Sequence, residues 1–89
     1  MKLLFGKAAW ADYLYWQEND RIIPGRINDL IKDAMRNRFV GIGKPEPLVG
    51  DYKGWWSRRI TREQRLVYRL SGAGTAPYLE IASCRFHYR

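Results

Sequence analysis

The sequence has very few of the side chains on which many proteins depend for cross-links or metal binding. Its 89 residues include one cysteine and one histidine. The single cysteine, Cys84, cannot form an internal disulfide, which indicates a reducing compartment such as the cytoplasm. The single histidine, His87, excludes most histidine-based metal sites and any acid–base pair of two histidines. Stability must therefore come from a hydrophobic core.

Long hydrophobic runs are also missing. The apolar stretch at residues 3–5 is too short for a signal peptide, and no later stretch is long enough to cross a membrane. A chain of this length has room for one core, so residues 1–89 are expected to form a single domain. We expect a soluble, cytoplasmic protein with no membrane partner.

Acidic residues are scarce in the second half of the chain. Residues 1–51 contain eight Lys and Arg against seven Asp and Glu, a net charge of +1, whereas residues 52–89 contain eight against two, a net charge of +6. Such a basic segment attracts polyanions and repels itself unless a partner supplies negative charge. Nucleic acid or an acidic protein is the expected partner, and a basic surface that is merely solvated is the alternative.

The spacing of apolar residues predicts the elements of one α+β domain. A short strand at residues 3–5 precedes a helix over 8–18 and a second helix that begins near Asp20 and ends before Phe39. Pro24 and Gly25 lie in the first turn of this second helix or make it restart there. Residues 39–52 are rich in Gly and Pro and read as a loop. Three closely connected strands follow, at 55–61, 65–70 and 78–86. We expect a twisted antiparallel sheet with both N-terminal helices packed on one face.

Alternation along the last three strands predicts which side chains share a face. If Ile60 lies opposite Leu66, these two residues face the core together with Tyr68 and Leu70. The opposite face then carries three guanidinium groups, those of Arg59, Arg65 and Arg69. In the last strand the same alternation puts Arg85 and His87 on one side and Cys84 and Phe86 on the other.

Arginine and tryptophan are concentrated in the predicted hairpin. Guanidinium groups bind phosphate bidentately, and aromatic faces stack on unpaired bases. The alternative is a solvated strand face over a core that contains the tryptophans. We expect the arginines to bind RNA and the tryptophans to pack in the core. These residues are Trp55, Trp56, Arg58, Arg59, Arg62, Arg65 and Arg69.

Glu46 and His87 are the candidate acid–base residues. Lys44 and Glu46 each precede a proline, so both are expected to be extended, and a stiff backbone is what a catalytic base needs. Glu46 and His87 together would form a base and an acid suited to phosphodiester cleavage. An ordinary loop glutamate and an incidental histidine are the alternatives. Tyr88 could orient a base or a phosphate, or pack at the sheet edge.

Other chemistries lack their motifs. Residues 41–44 do not have the glycine and Lys-Ser/Thr spacing of a phosphate-binding loop. No residues have the spacing of zinc ligands, so neither a metal nor a cofactor is predicted. Cys84 has apolar neighbours and is expected in the core.

Several segments resemble the YoeB-type toxins of the RelE/ParE superfamily. The signature-like segments are residues 43–48, which read GKPEPL, residues 56–68, from WSRRIT to RLVY, and residues 84–88, which read CRFHY. Residues 12–17 and 27–33 are similar too. The resemblance implies a RelE-like, microbial-ribonuclease-like fold and cleavage of mRNA in the A site of the 70S ribosome.

The resemblance also implies residue roles and partners. Glu46 would be the general base on the ribose 2′-hydroxyl, and His87 the acid that protonates the departing 5′ oxygen. Arg65, supported by Arg59, would stabilise charge on the phosphate, and Tyr88 would position the substrate. Lys44 and Arg85 are assigned to substrate binding. The implied partners are mRNA, the ribosome and a YefM-like antitoxin with an acidic, partly disordered segment, and a homodimer is compatible with the resemblance.

The chain departs from the family pattern at a few positions that carry none of the chemistry. Pro24 and Gly25 interrupt a helix, Gln64 stands where relatives often have histidine, the connection at 71–77 is longer, and Arg89 follows the usual terminal tyrosine. The alternative function is a non-catalytic basic module that binds RNA, the ribosome or an acidic protein, which gives no reason for Glu46 and His87. A metal-dependent nuclease would need a carboxylate cluster that the sequence lacks.

Overall fold

The computed structural model describes residues 1–72, 74 and 76–87, and it places two helices beside one five-stranded sheet in this part of the chain. The predicted α+β class is confirmed, and both predicted helices are present. None of the described helices is long and apolar enough to span a membrane. In chain order the elements are β1 (Lys2–Phe5), α1 (Lys7–Asn19), α2 (Ile23–Arg36), β2 (Glu46–Pro47), a 3₁₀ turn (Gly50–Tyr52), β3 (Trp56–Arg59), β4 (Arg65–Ser71) and β5 (Tyr78–Ser83).

The strands are arranged in the order β1-β5-β4-β3-β2. The neighbours β3–β4 and β4–β5 are antiparallel, as predicted for strands joined by short connections. The strand β2 lies within the predicted loop at 39–52 and also pairs antiparallel with β3, which the sequence did not predict. The first strand is different, because β1 runs parallel to β5, with Lys2 opposite Tyr78 and Phe5 opposite Ile81. Parallel neighbours need a long crossover, and here both helices and three strands separate the pair in sequence.

Both helices pack against one face of the sheet. The helix α2 buries Ile27, Leu30, Ile31 and Ala34, which recur at helical spacing and were predicted to form one stripe. At the start of α2 the Asp20 carboxylate accepts hydrogen bonds from the N–H groups of Ile22 and Ile23. Pro24 lies in the first turn, where the missing N–H costs least because it has no partner within the helix. The sheet contributes the other half of the core, chiefly Leu66, Tyr68, Leu79 and Ile81.

The β3–β4 register differs from the predicted one by two residues. Arg58, not Ile60, lies opposite Leu66, and Arg59 lies opposite Arg65. A shift of two residues does not change the face on which a strand residue lies, because the strand repeat is two. Ile60 follows the end of β3 and is buried in the core as expected, whereas Leu70 is only half-buried.

The last strand is shorter than predicted. It ends at Ser83, so the alternation expected through Phe86 is wrong, and Phe86 has a left-handed backbone with φ 66°. The physical reason lies at Cys84, whose N–H is bound by the Asp12 carboxylate at 3.0 Å instead of by the sheet. Cys84 itself is fully buried in the core, as predicted.

Candidate active site

The strand register gathers three candidate side chains, those of Glu46, Arg59 and Arg65, on the face of the sheet turned away from the helices, called here the far face. Glu46 lies opposite Ser57, Ser57 opposite Val67, and Arg59 opposite Arg65. Directly opposed residues share a face in a pleated sheet. The far face therefore carries an exposed carboxylate beside two cross-strand guanidinium groups.

Glu46 is the first residue of β2, the edge strand. It is exposed, and the β2–β3 pairing fixes its backbone in the predicted extended conformation. The neighbouring prediction for Lys44 is wrong, because Lys44 is left-handed with φ 51°. The preceding residue, Gly43, has a φ of 81°, and a Cβ there would clash with the Leu30 side chain. Its carbonyl accepts a hydrogen bond from the Arg59 N–H at 2.7 Å, which ties this turn to β3.

Arg65 is an immobilised guanidinium. Its side chain is buried, and Nη1 is shared among the carbonyl oxygens of Thr61, Arg62 and Gln64 at 3.0, 3.0 and 3.1 Å. Among the described residues, the Nε and Nη2 atoms of Arg65 make no hydrogen bond. The β3–β4 turn thus fixes the guanidinium group through Nη1 and leaves the N–H donors of Nε and Nη2 for an anion.

Arg59 lies across the hairpin from Arg65. Its Nε is buried and has no hydrogen-bond acceptor among the residues that the structure describes. An unpaired buried donor and two like charges on opposed positions both cost free energy. An anion between the two guanidinium groups would remove both costs, which makes this pair a candidate phosphate site.

Arg69 and Trp55 extend the far face away from the arginine pair. The Arg69 guanidinium lies 4.2 Å from the centre of the Trp55 ring, and its Nε is 2.9 Å from the Glu80 carboxylate. Arg69 therefore already has an internal counter-charge. Trp55 was predicted in the core and lies on the far face instead, because it alternates with Trp56, which packs against the core.

Arg58 was predicted to bind RNA, and this prediction is wrong. Its side chain is fully buried on the helix face. Nε donates to the Tyr68 hydroxyl at 3.0 Å, and Nη1 donates to the Asp33 carboxylate at 2.5 Å. The remaining acceptors are backbone carbonyls of the loop before Glu46, those of Asn37, Val40 and Ile42.

The Arg58 network changes the acidity of its partners. The Arg58 hydrogen bond and then the Ile42 N–H hold the pKa of Asp33 below its ordinary value. Burial raises the pKa of the Tyr68 hydroxyl, although Arg58 opposes this. Arg58 thus organises the loop that leads into Glu46. Its inward direction had a signal in the sequence, since it stands two residues before the core residue Ile60.

Arg85 and His87 lie on a segment that leaves the sheet after Ser83. His87 is exposed. The Arg85 guanidinium lies 3.4 Å from the centre of the Tyr15 ring, so it contacts α1 and not the Arg59–Arg65 pair. The carbonyl of Phe86 accepts the Arg65 N–H at 2.8 Å, which joins the residue before His87 to the far-face hairpin. Tyr88 lies outside the described residues.

Gln64 makes a contact with Phe86 that the sequence did not predict. Its side-chain carbonyl accepts the Phe86 N–H. The two residues are 22 positions apart, and no motif or periodicity links them.

Among the described residues no group of three His, Cys, Asp or Glu side chains could hold a metal ion. A cavity of about 280 Å³, lined by Leu3, Phe5, Tyr13 and neighbours, contains none of the candidate residues.

Known proteins match almost the whole chain. The family model for the YoeB-like toxin of bacterial type II toxin–antitoxin systems matches residues 5–88. The chain belongs to this family. Toxin YoeB of Escherichia coli (strain K12) is 56% identical over 88 residues, 99% of this chain and 100% of that protein.

Solved structures of other YoeB-like toxins agree with this fold. A YoeB/ParE toxin from Agrobacterium tumefaciens has a TM-score of 0.94 at 55% identity, over 99% of this chain and 100% of that one. YoeB in the heterotetrameric YoeB–YefM toxin–antitoxin complex from Staphylococcus aureus has a TM-score of 0.86 at 42% identity, over 99% and 98%. This YoeB-like toxin is therefore the toxin component of a type II toxin–antitoxin system, and the predicted resemblance is confirmed.

Proposed function

We propose that this toxin cuts mRNA in the A site of the 70S ribosome and thereby stops translation in the cytoplasm. The supporting observation is the grouping of Glu46, Arg59 and Arg65 on the far face, with the Phe86 carbonyl bound to the Arg65 N–H just before His87. A base, a phosphate-binding pair and an acid are the groups that RNA phosphodiester cleavage requires.

The reaction is an internal displacement at phosphorus. Glu46 takes the proton of the ribose 2′-hydroxyl, and the 2′ oxygen attacks the adjacent phosphorus. The bond from phosphorus to the 5′ oxygen breaks, and His87 gives its proton to that oxygen. The products are a 2′,3′-cyclic phosphate and a 5′-hydroxyl. Because the nucleophile belongs to the substrate, the scheme needs neither a metal-bound water nor a covalent enzyme intermediate.

The two far-face arginines stabilise the phosphate as its charge grows. Arg65 is already fixed by three backbone carbonyls, so little reorganisation is needed when the transition state forms. Arg59 gains an acceptor for its buried Nε. Removing one such donor typically reduces a rate about 10²–10³-fold.

Three further residues complete the proposed substrate contacts. Lys44 is exposed two residues before Glu46 and would contact the RNA backbone there. Arg85 would add positive charge two residues before His87, from its position on the Tyr15 ring. Tyr88, next to His87 in sequence, would orient the substrate.

A YefM-like antitoxin is the proposed neutralising partner. The Staphylococcus aureus relative is described as a YoeB–YefM complex, and a dimer of that YoeB is also known. In this chain, residues 52–89 have a net charge of +6 that an acidic, partly disordered segment would offset as it folds onto them. A homodimer is proposed on the same comparison.

Cleavage on programmed ribosomes tests the proposed function. Purified toxin is added to ribosomes carrying a defined mRNA, and new 3′ ends are mapped. We expect cuts in the A site that Glu46→Gln and His87→Ala each reduce by about 10²-fold or more while ribosome affinity is kept. Glu63→Gln, which changes an exposed acid of the β3–β4 turn, is the matched control. Ribosome binding without any cut would favour the non-catalytic module instead.

A further inference from the structure

In the segment that carries His87, each of the three preceding residues, 84–86, has its own contact with the rest of the fold. The Cys84 N–H is bound by Asp12, and the Cys84 carbonyl accepts Trp16 Nε1 at 2.8 Å. Arg85 then stacks on Tyr15 of the same helix. The direction of the chain up to Arg85 is therefore set by α1.

The next residue, Phe86, has an unfavourable backbone. Its φ of 66° lies in the left-handed region, which an aromatic residue rarely adopts because the backbone is strained there. Such a conformation persists only where the surroundings hold it. Here the Gln64 side-chain carbonyl accepts the Phe86 N–H, and the Arg65 N–H donates to the Phe86 carbonyl at 2.8 Å.

Gln64 is a suitable anchor because its own turn is rigid. Its backbone carbonyl accepts the N–H groups of Ile60 and Thr61 at 2.9 and 3.3 Å, and its N–H donates to the Thr61 hydroxyl at 3.1 Å. The same carbonyl also accepts Arg65 Nη1. One residue thus contacts both the fixed guanidinium and the peptide that precedes His87.

We propose that Gln64 is a positioning residue: its side-chain carbonyl holds Phe86 in the left-handed conformation and so directs His87 toward the phosphate held by Arg65. Without this acceptor one of the hydrogen bonds that hold the Phe86 peptide is lost, and its backbone relaxes toward negative φ, which swings the following residue away. The inference rests on the proposed function, because His87 is the acid of that scheme. It concerns the leaving-group step only, and Glu46 and the arginines are unaffected.

Substitutions that differ in the acceptor oxygen test the contact. Gln64→Met keeps the length of the side chain and removes the acceptor, and Gln64→Asn withdraws the amide by one methylene. Gln64→Glu keeps an acceptor oxygen in place. Gln17→Met makes the same chemical change at an exposed position of α1 and is the matched control. Thermal unfolding shows which variants fold, and Gln64→Asn replaces Gln64→Met if the latter does not.

Hydrogen exchange of the Phe86 amide is the first measurement, made on the free toxin. We expect exchange about tenfold faster in Gln64→Met and Gln64→Asn than in the wild type or in Gln17→Met, as the loss of one hydrogen bond implies. Gln64→Glu should retain most of the protection. Equal exchange in all variants overturns the inference, whatever the toxin does on ribosomes.

Single-turnover cleavage on ribosomes is the second measurement. With ordinary mRNA we expect Gln64→Met to be about 10- to 100-fold slower at saturating toxin, and Gln64→Glu to be much closer to the wild type. A substrate with a bridging 5′ sulfur at the cut needs little protonation of the leaving group, because a thiol has a far lower pKa than an alcohol. The Gln64→Met defect should largely disappear on this substrate.

The outcomes separate the two proposals. A Gln64→Met defect that is equally large on the 5′-sulfur substrate shows that Gln64 does not act through the acid, and it overturns the inference. A wild-type toxin that never cuts the ordinary mRNA contradicts the proposed function, and the exchange of the Phe86 amide then still decides whether Gln64 holds this segment.

Discussion

Arg59 and Arg65 occupy directly opposed positions of the β3–β4 hairpin, on the face of the sheet that the helices leave uncovered. Opposed like charges destabilise a sheet, and the buried Nε of Arg59 finds no acceptor in the described part of the chain. The phosphate that we propose between the two guanidinium groups would remove both costs.

Replacing Arg59 should separate stability from activity. We expect Arg59→Gln to leave the free energy of unfolding unchanged or to raise it by about 0.2–1 kcal/mol, because cross-strand repulsion is removed. Cleavage on ribosomes should fall about 10²-fold. Urea unfolding and single-turnover cleavage are the measurements, and Arg21→Gln, at an exposed position between the two helices, is the control. A clear loss of stability without loss of rate would mean that Arg59 is structural.

A change at Arg65 that keeps the charge tests the planar fork. Lysine cannot reproduce bidentate geometry or the shared bonds to Thr61, Arg62 and Gln64. We expect Arg65→Lys to lower the single-turnover rate by about 10²-fold or more, with Arg21→Lys, at an exposed position between the two helices, near the wild type. A wild-type rate in Arg65→Lys would assign Arg65 a purely structural role.

The sequence predicted much of the fold because local pattern decides it. The stripe of Ile27, Leu30, Ile31 and Ala34 needs only helical geometry, and alternation is enough to put Arg59 and Arg65 on one face. The strand argument survives a register error of two residues, because the strand repeat is two. This is why a two-residue shift of the hairpin left the candidate site intact.

The contacts that the sequence did not predict all join distant segments through side chains. Arg58 looks like its neighbour Arg59, and its burial depends on the carbonyl oxygens that the loop 37–42 turns inward. The bond from the Phe86 N–H to Gln64 is likewise set by where β5 ends. Alternation with Ile60 does indicate that Arg58 points inward, but the carbonyl partners of Arg58 and the Phe86–Gln64 bond are fixed only when the whole sheet has formed.

The Asp33–Arg58 pair should make stability depend on pH. The pKa of Asp33 in the folded chain lies below its ordinary value of 3.8, chiefly because Arg58 donates to the carboxylate. Unfolded chains therefore take up the proton at higher pH than folded ones. The stabilisation by Asp33 is complete above the ordinary pKa and is lost as the pH falls through the lower, folded pKa.

Asp33→Asn should flatten this acid limb of the stability profile. Urea unfolding from about pH 7 to about pH 3 is the measurement, and Asp29→Asn, which changes an exposed acid of the same helix, is the control. A profile in Asp33→Asn that falls as steeply as in the wild type would show that other carboxylates cause the acid dependence.

Neutralisation should be electrostatic in part. We expect a YefM-like antitoxin to bind with an affinity that falls as the salt concentration rises, because its acidic segment offsets the +6 charge of residues 52–89. Titration calorimetry at several salt concentrations gives the slope. An affinity independent of salt, or no stable complex with the product of the neighbouring gene, would contradict the expectation.

The most direct test of the central claim is an mRNA in which only the nucleotide 5′ of the cut carries a 2′-deoxy sugar. The substitution removes the nucleophile from which Glu46 takes the proton and leaves shape and charge almost unchanged. Ribosome occupancy and single-turnover cleavage are measured together, with the all-ribose mRNA as the control. The account predicts full occupancy and no cleavage of the 2′-deoxy substrate. Cleavage of that substrate at the normal rate would contradict attack by the 2′-hydroxyl and, with it, the role proposed for Glu46.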